Sequence, residues 1–122
     1  MARNATRTSP PDPSGGEDPR AWYDELTDDL LYDPAIGRST MMGYPCIRLA
    51  GRFLASYDEK SGRLVVKLPA ARVAELVADG TGQEFAPAGK VFREWVALGP
   101  AERDRWQTLL AEAVAFARST LG

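Results

Sequence analysis

Residue types that commonly carry catalysis are sparse in this 122-residue sequence. It contains no histidine, which excludes Ser-His and Cys-His dyads, histidine-ligated zinc and acid–base catalysis by an imidazole. A reaction would have to use carboxylates, lysines, tyrosines or the single cysteine, Cys46. These residues form no recognisable catalytic pattern. We therefore predict a protein that is not an enzyme, with no catalytic residues, metal site or cofactor.

Cys46 follows Pro45 in a stretch typical of a β-strand. Arg48 would share its face of the strand, and a neighbouring cation lowers the pKa of reactive thiols. Free cysteine is also among the most frequently buried residue types. We interpret Cys46 as structural. A lone cysteine also fits a reducing compartment, so we expect a cytoplasmic protein.

The segment from Gly82 to Lys90 superficially resembles a phosphate-binding loop. Such a loop has four residues between its glycines and a Ser or Thr after its lysine. Here six residues separate Gly82 from Gly89, and Val91 follows Lys90. We therefore exclude a phosphate-binding loop.

The first predicted helix carries an acidic face that includes Asp24 and Asp28, one turn apart. Two carboxylates at this spacing could contact a divalent cation, but such sites usually gather several oxygen ligands from a shaped loop. We interpret the face as solvated. Docking of a basic partner is the alternative use of the same carboxylates.

Basic residues in the predicted strands suggest a binding surface on the side of the sheet without helices. If Phe92 and Val96 face the helices, Trp95 and Arg93 face the other way; Trp95 could alternatively belong to the core. A basic sheet face with an aromatic residue can bind an anion or a single strand, and the same pattern fits a dimer interface or a half-solvated sheet. The candidate binding face consists of Arg48, Arg52, Arg63, Lys67, Arg93 and Trp95.

The charge balance bears on the class of partner. The formal net charge of the chain is −2, which is far from the strongly basic field of a dedicated nucleic-acid binder. No apolar run approaches the ~18 residues that a membrane span needs. We expect a protein partner, with nucleic acid as the alternative and no membrane association. Monomer and homodimer both remain open.

Composition divides the chain into two parts. Residues 1–18 are mainly Ser, Thr, Pro, Gly and charged residues, which cannot bury enough apolar surface to offset the entropy of ordering. We predict a disordered tail over 1–18, dispensable for folding, and a single domain over 19–122. Asp18 and Pro19 begin the first helix as its N-cap and first residue.

The remaining elements follow from hydrophobic period and turn residues. Short Gly-bearing connections predict antiparallel hairpins among three β-rich stretches, Ser39–Leu49, Arg52–Asp58 and Arg63–Leu68. A helix from Pro69 to Gly80, strands at Glu84–Ala86 and Val91–Leu98, and a helix after Gly99-Pro100 complete the chain. The predicted fold is α+β, a two-layer sandwich of one antiparallel sheet with helices on one face, in the order α-β-β-β-α-β-β-α.

Three runs in the sequence form an ordered pattern: Met41–Ile47, Gly51–Ala55 and Leu64–Leu68, followed by segments at Phe85–Lys90 and Phe92–Val96. This pattern resembles that of the TfoX N-terminal domain family and the related MmcQ/YjbR-like proteins. The resemblance covers about residues 20–120 and departs from the commonest pattern at Met42, where Phe is usual. It implies the same sandwich, an association with regulation of bacterial competence through other proteins, and no catalytic residues.

These observations together predict a non-enzymatic protein-interaction or regulatory module. The alternative is a protein that binds nucleic acid or an anionic ligand through the candidate binding face.

Overall fold

The structure is a computed structural model that describes residues 18–121, with the backbone only at Leu121. The predicted tail therefore lies outside the described residues, apart from Asp18. As predicted, Asp18 caps the first helix: its carboxylate accepts a hydrogen bond from the backbone N–H of Arg20 at 3.0 Å, and Pro19 is the first helical residue.

The described chain forms three helices and six strands. In chain order they are α1 (Pro19–Leu30), β1 (Ile36–Met41), β2 (Tyr44–Leu49), β3 (Arg52–Asp58), β4 (Arg63–Lys67), α2 (Ala70–Ala78), β5 (Gln83–Phe85), β6 (Phe92–Leu98) and α3 (Arg103–Leu121). Single 3-10 turns at Pro87–Gly89 and Pro100–Glu102 precede β6 and α3.

The strands form one antiparallel sheet in the order β1-β2-β3-β4-β6-β5. The predicted α+β fold and its element order are confirmed. The first β-rich stretch begins at Ile36 and contains two strands, because Met42 and Gly43 form a two-residue turn with φ of 53° and 84°. Two consecutive positive φ values are typical of the type I′ hairpin turn.

All three helices pack on one face of the sheet, where the main core lies. Leu64 and Val66 of β4, and Leu68 just after it, are fully buried in this core. Trp106 is also fully buried, on the side of α3 that faces the sheet. The stripe of α2 contributes Val73 and Leu76.

The opposite face of the sheet, here called the helix-free face, has a smaller cluster of its own. Val65, Trp95 and Ala97 are buried there, and three larger side chains pack against them. Those three come from different strands and are Met41, Phe53 and Phe85. The helix-free face is therefore partly covered by its own side chains.

Candidate binding site on the helix-free face

Small side chains line the centre of the helix-free face. The strand register aligns Cys46, Ser56, Val65 and Ala97 across four neighbouring strands. All four are buried, although no helix covers them. The larger side chains of the same face, those of Met41, Phe53 and Phe85, lie outside this row, which leaves a depression beside them.

A cavity of about 320 Å³ occupies one part of this depression. Ser56 and Val65 form its floor. Met41 and Tyr44, paired beside the β1–β2 turn, form one wall. Phe85 and Pro87, at the β5–β6 connection, form the other. We call this space the sheet-face cavity.

One end of the sheet-face cavity is charged. Arg63 lies there, and its guanidinium donates hydrogen bonds to the side chains of Gln83 at 2.6 Å and Ser61 at 2.8 Å. Asp58 lies 3.7 Å from the same group. Lys60 also lines this end and forms no ion pair within residues 18–121. Arg63 is thus held by its neighbours, whereas the Lys60 ammonium is open to a ligand.

Met42 lies at the rim of the cavity, with an exposed side chain and an unusual backbone conformation. Its side chain is 70% exposed, and its φ of 53° is in the left-handed region. That conformation is costly for residues with a Cβ and is normally occupied by Gly, Asn or Asp. Positive-φ residues that are not glycine often mark functional sites. The glycine at position 43 was the only local feature of the sequence that indicated a turn here.

Three of the predicted basic residues lie on the helix-free face, and each has a nearby partner. Arg48 stacks over the ring of Phe53, with 4.2 Å between its guanidinium carbon and the ring centroid. Lys67 lies 4.0 Å from a carboxylate oxygen of Glu94. Arg63 is held at the end of the cavity. These side chains do not form an open basic surface.

The other two predicted cations lie elsewhere, which corrects the expectation that all of them converge. Arg52 lines a second cavity, at the end of the sheet, with Phe116 and Thr120 of α3, and of the other predicted cations only Lys67 lines this cavity too. Arg93 lines a groove against α2, beside Val77. Register shifts in the sheet explain both positions: one lies between Ile47 and Arg48, the other between Glu84 and Phe85.

Trp95 faces away from the helices, yet only 8% of it is exposed. The Phe53 ring lies 6.1 Å from the indole and the Phe85 ring 6.3 Å, measured between centroids. Both sequence-based alternatives for Trp95 are therefore partly realised: it lies on the helix-free face and belongs to a core. The Lys67 ammonium lies 5.8 Å from the centroid of the indole, so the buried ring offers little surface on which a nucleic-acid base could stack.

Cys46 is 1% exposed and has Ser39 as its cross-strand neighbour. Burial raises the pKa of the Cys46 thiol, while the nearby Arg48 and Ser39 side chains act in the opposite direction without cancelling it. A thiol with a raised pKa stays protonated at neutral pH and is a poor nucleophile. This geometry supports the interpretation of Cys46 as a structural residue.

The acidic face of α1 is partly neutralised. Asp24 binds Arg20 at 3.0 Å, and Asp28 forms an ion pair with Arg38. Among residues 18–121 no cluster of three or more His, Cys, Asp or Glu side chains could hold a metal ion. Within the same range, none of the helices combines the length and the hydrophobicity of a membrane-spanning segment.

Comparison with protein-family models, curated proteins and solved structures found no match for this chain. The resemblance to the TfoX N-terminal domain family therefore stays a prediction.

Proposed function

We propose that the chain is a non-enzymatic interaction module that binds an apolar side chain of a partner protein in the sheet-face cavity. The cavity walls are formed by Met41, Tyr44, Phe85 and Pro87, which are largely apolar. Its volume of about 320 Å³ is at the small end of the range of ligand sites. A site of this size suits one anchoring side chain better than a large ligand.

The observation that carries the proposal is the exposure of Met42. A methionine in the left-handed region, 70% exposed, contributes little to the core and costs stability in the turn. Burial against a partner protein would account for the exposed position of this apolar side chain. Methionine also suits binding surfaces because its flexible, polarisable side chain adapts to different shapes.

The charged end of the cavity narrows the kind of partner. Lys60, whose ammonium forms no ion pair within residues 18–121, favours an acidic group next to the anchoring side chain, since opposite charges at a rim favour docking in one orientation. The free, buried thiol of Cys46 is consistent with a cytoplasmic location. A regulatory role, exerted through the partner, is what the resemblance to the TfoX N-terminal domain family would add.

Nucleic-acid binding has less support from the same face. Lys67 and Arg63 each have a nearby carboxylate, and Trp95 is covered by aromatic rings. Binding of a polyanion depends on several cations that are free to contact phosphates. The helix-free face offers few such cations.

A peptide selection tests the proposal. Random peptides displayed on phage would be selected on the folded protein, and the affinity of the best synthetic peptide measured by fluorescence anisotropy. We expect an enriched aromatic or aliphatic anchor with an acidic neighbour. Met42→Glu should weaken binding roughly tenfold or more, because a carboxylate at the apolar rim disfavours burial of the anchor. The matched control is Ala111→Glu on the exposed side of α3.

Two results would contradict the proposal. One is the absence of any enriched peptide, or an affinity that Met42→Glu leaves unchanged. The other is tight binding of a single-stranded oligonucleotide at physiological salt that Lys67→Glu abolishes, which would favour the nucleic-acid alternative.

A further inference from the structure

The outer edge of β1 is open. Met41 and Tyr44 close a two-residue hairpin, and such a closing pair exchanges both backbone hydrogen bonds. Hydrogen bonding then alternates along the strand, so Ser39 bonds to β2, while the N–H and C=O groups of Arg38 and Thr40 point away from the sheet. The position of Pro45 agrees with this pattern: it lies opposite Thr40 in a pair without backbone hydrogen bonds.

Nothing in the described chain satisfies these outward groups. No turn, loop or side-chain hydrogen bond within residues 18–121 involves the backbone of Arg38 or Thr40, and both residues are exposed. The strand has six residues and, apart from Arg38, none of the usual protections of a sheet edge, which are charged side chains, proline and bulges. The opposite edge, β5, has three residues and is followed by the Pro87–Gly89 turn.

The only charged residue of β1 is turned towards α1. Arg38 donates a hydrogen bond to the Thr27 hydroxyl at 3.1 Å and forms an ion pair with Asp28. These contacts place α1 alongside β1, on the helix side of the edge. The helix contains four carboxylates and a single cation, Arg20. The open edge therefore borders an acidic helix.

We propose that β1 accepts an extended basic segment of a partner protein as a seventh strand of the sheet. The outward N–H and C=O groups of Arg38 and Thr40 would pair with the backbone of the segment, as in other cases of strand addition. Side chains of a strand alternate between faces. Basic side chains on the helix side would approach Asp28, and the intervening side chains would lie beside Ser39 and Met41 on the helix-free face.

The charges also argue against a second copy of this chain as the occupant. Two β1 strands paired antiparallel about a twofold axis perpendicular to the sheet would place both sets of helices on the same side. The two α1 helices would then face each other across the junction with their carboxylates, and like charges there oppose association. A basic segment meets an edge at which the four carboxylates of α1 outnumber the two cations paired with them, Arg20 and Arg38.

This proposal depends on the backbone of β1 and not on the sheet-face cavity, so it can fail or hold independently of the proposed function. The probe is an acetylated and amidated seven-residue peptide of alternating lysine and valine, added to the full chain. Amide hydrogen exchange followed by NMR provides the readout. At saturation we expect the exchange of the Arg38 and Thr40 amides to slow by about tenfold or more, with little change at Ser39, whose amide is already bonded to β2.

Two variants at one position separate backbone pairing from side-chain contact. Thr40→Pro removes an outward N–H, at a kind of edge position where proline is tolerated, and should weaken peptide binding roughly tenfold or more. Thr40→Val keeps the N–H and should bind like the parent. If Thr40→Pro does not fold, the test uses the unaltered protein and the same peptide with N-methyl groups on alternate residues. This peptide lacks the N–H groups needed to pair with β1 and should not bind.

Charge reversal tests the choice of partner. Asp28→Lys should weaken binding of the lysine–valine peptide, whereas Asp104→Lys, the same change on exposed α3, should not. A glutamate–valine peptide should not bind. The proposal is overturned if the Arg38 and Thr40 amides stay unprotected, if both charge reversals act alike, if the chain dimerises through β1, or if the peptide binds only after removal of residues 1–17.

Discussion

Trp106 of α3 donates its indole N–H to the backbone carbonyl oxygen of Gly99 at 3.2 Å. The ring is fully buried, so this bond ties the middle of the core to the residue that follows β6. The 3-10 turn at Pro100–Glu102 lies between the two partners. Trp106 therefore positions α3 over the sheet both by packing and by a directed hydrogen bond.

Truncation of this side chain should be strongly destabilising. We expect Trp106→Ala to lower the free energy of unfolding by about 3–5 kcal/mol, the usual cost of removing a large aromatic side chain from a core. Trp106→Phe keeps much of the packing and loses the bond to Gly99, so about 1–2 kcal/mol is expected. Urea unfolding measures both. Gln107→Ala, on the exposed side of the same helix, is the control, and a loss below about 1 kcal/mol for Trp106→Ala would place this ring outside the core.

Gly82 is required for close packing of the chain against β6. A Cβ atom at Gly82 would overlap the Cγ2 atom of Val96 and lie 3.5 Å from the carbonyl oxygen of Ala97. Gly82→Ala should therefore cost about 1–3 kcal/mol through overpacking. Gly37→Ala is the matched control, because nothing lies within 4 Å of its Cβ position. Equal urea midpoints for the two variants would contradict this account.

Local patterns in the sequence were sufficient for most of the fold. The N-cap at Asp18 and the antiparallel hairpins that join the three β-rich stretches each depend on residues close in the chain, and each is found as predicted. The split of Ser39–Leu49 into two strands was not recognised. Met42-Gly43 lacks the Asn or Asp that usually signals a type I′ turn, so the pattern there resembled one continuous strand.

The candidate binding face was predicted less well, because it depends on strand register. The shift between Ile47 and Arg48 changes which residues of β3 share a face, and a period of two in the sequence does not reveal it. Arg52 was therefore assigned to the wrong surface. The sheet-face cavity brings together Met41 and Phe85, which belong to the two edge strands of the sheet. No local pattern in the sequence links two residues so far apart in the chain.

Two hairpin turns allow a matched test of the role of Met42. Met42-Gly43 and Ala50-Gly51 both have positive φ at each residue. Asparagine tolerates this conformation, so Met42→Asn and Ala50→Asn should each raise the free energy of unfolding by about 1 kcal/mol. Only Met42→Asn should weaken the peptide selected on the sheet-face cavity. Loss of binding in both variants, or in neither, would show that Met42 is not part of the binding site.

The hydroxyl of Tyr23 makes the stability of the fold sensitive to alkaline pH. Tyr23 is fully buried, and its Oη has no hydrogen-bond partner within the described chain. Burial raises the pKa of Tyr23 well above its ordinary value, and burial also raises the pKa of Cys46 and Tyr57. An acid whose native pKa is raised binds its proton more tightly in the folded state than in the unfolded state. Its contribution to stability is therefore complete at neutral pH and is lost as the pH rises.

The variant Tyr23→Phe isolates this contribution. At pH 7 it should raise the free energy of unfolding by about 1–3 kcal/mol, because an unpartnered buried hydroxyl is removed while the ring is kept. Above about pH 10, unfolded Tyr23 loses its proton and native Tyr23 does not, so the parent should lose about 1.4 kcal/mol per pH unit more than the variant. Urea unfolding between pH 7 and pH 11 measures both effects. The control is Tyr32→Phe, at a side chain that is 89% exposed, which should show the same dependence of unfolding free energy on pH as the parent. If Tyr23→Phe also behaves like the parent, the Tyr23 hydroxyl has a hydrogen-bond partner or reaches solvent.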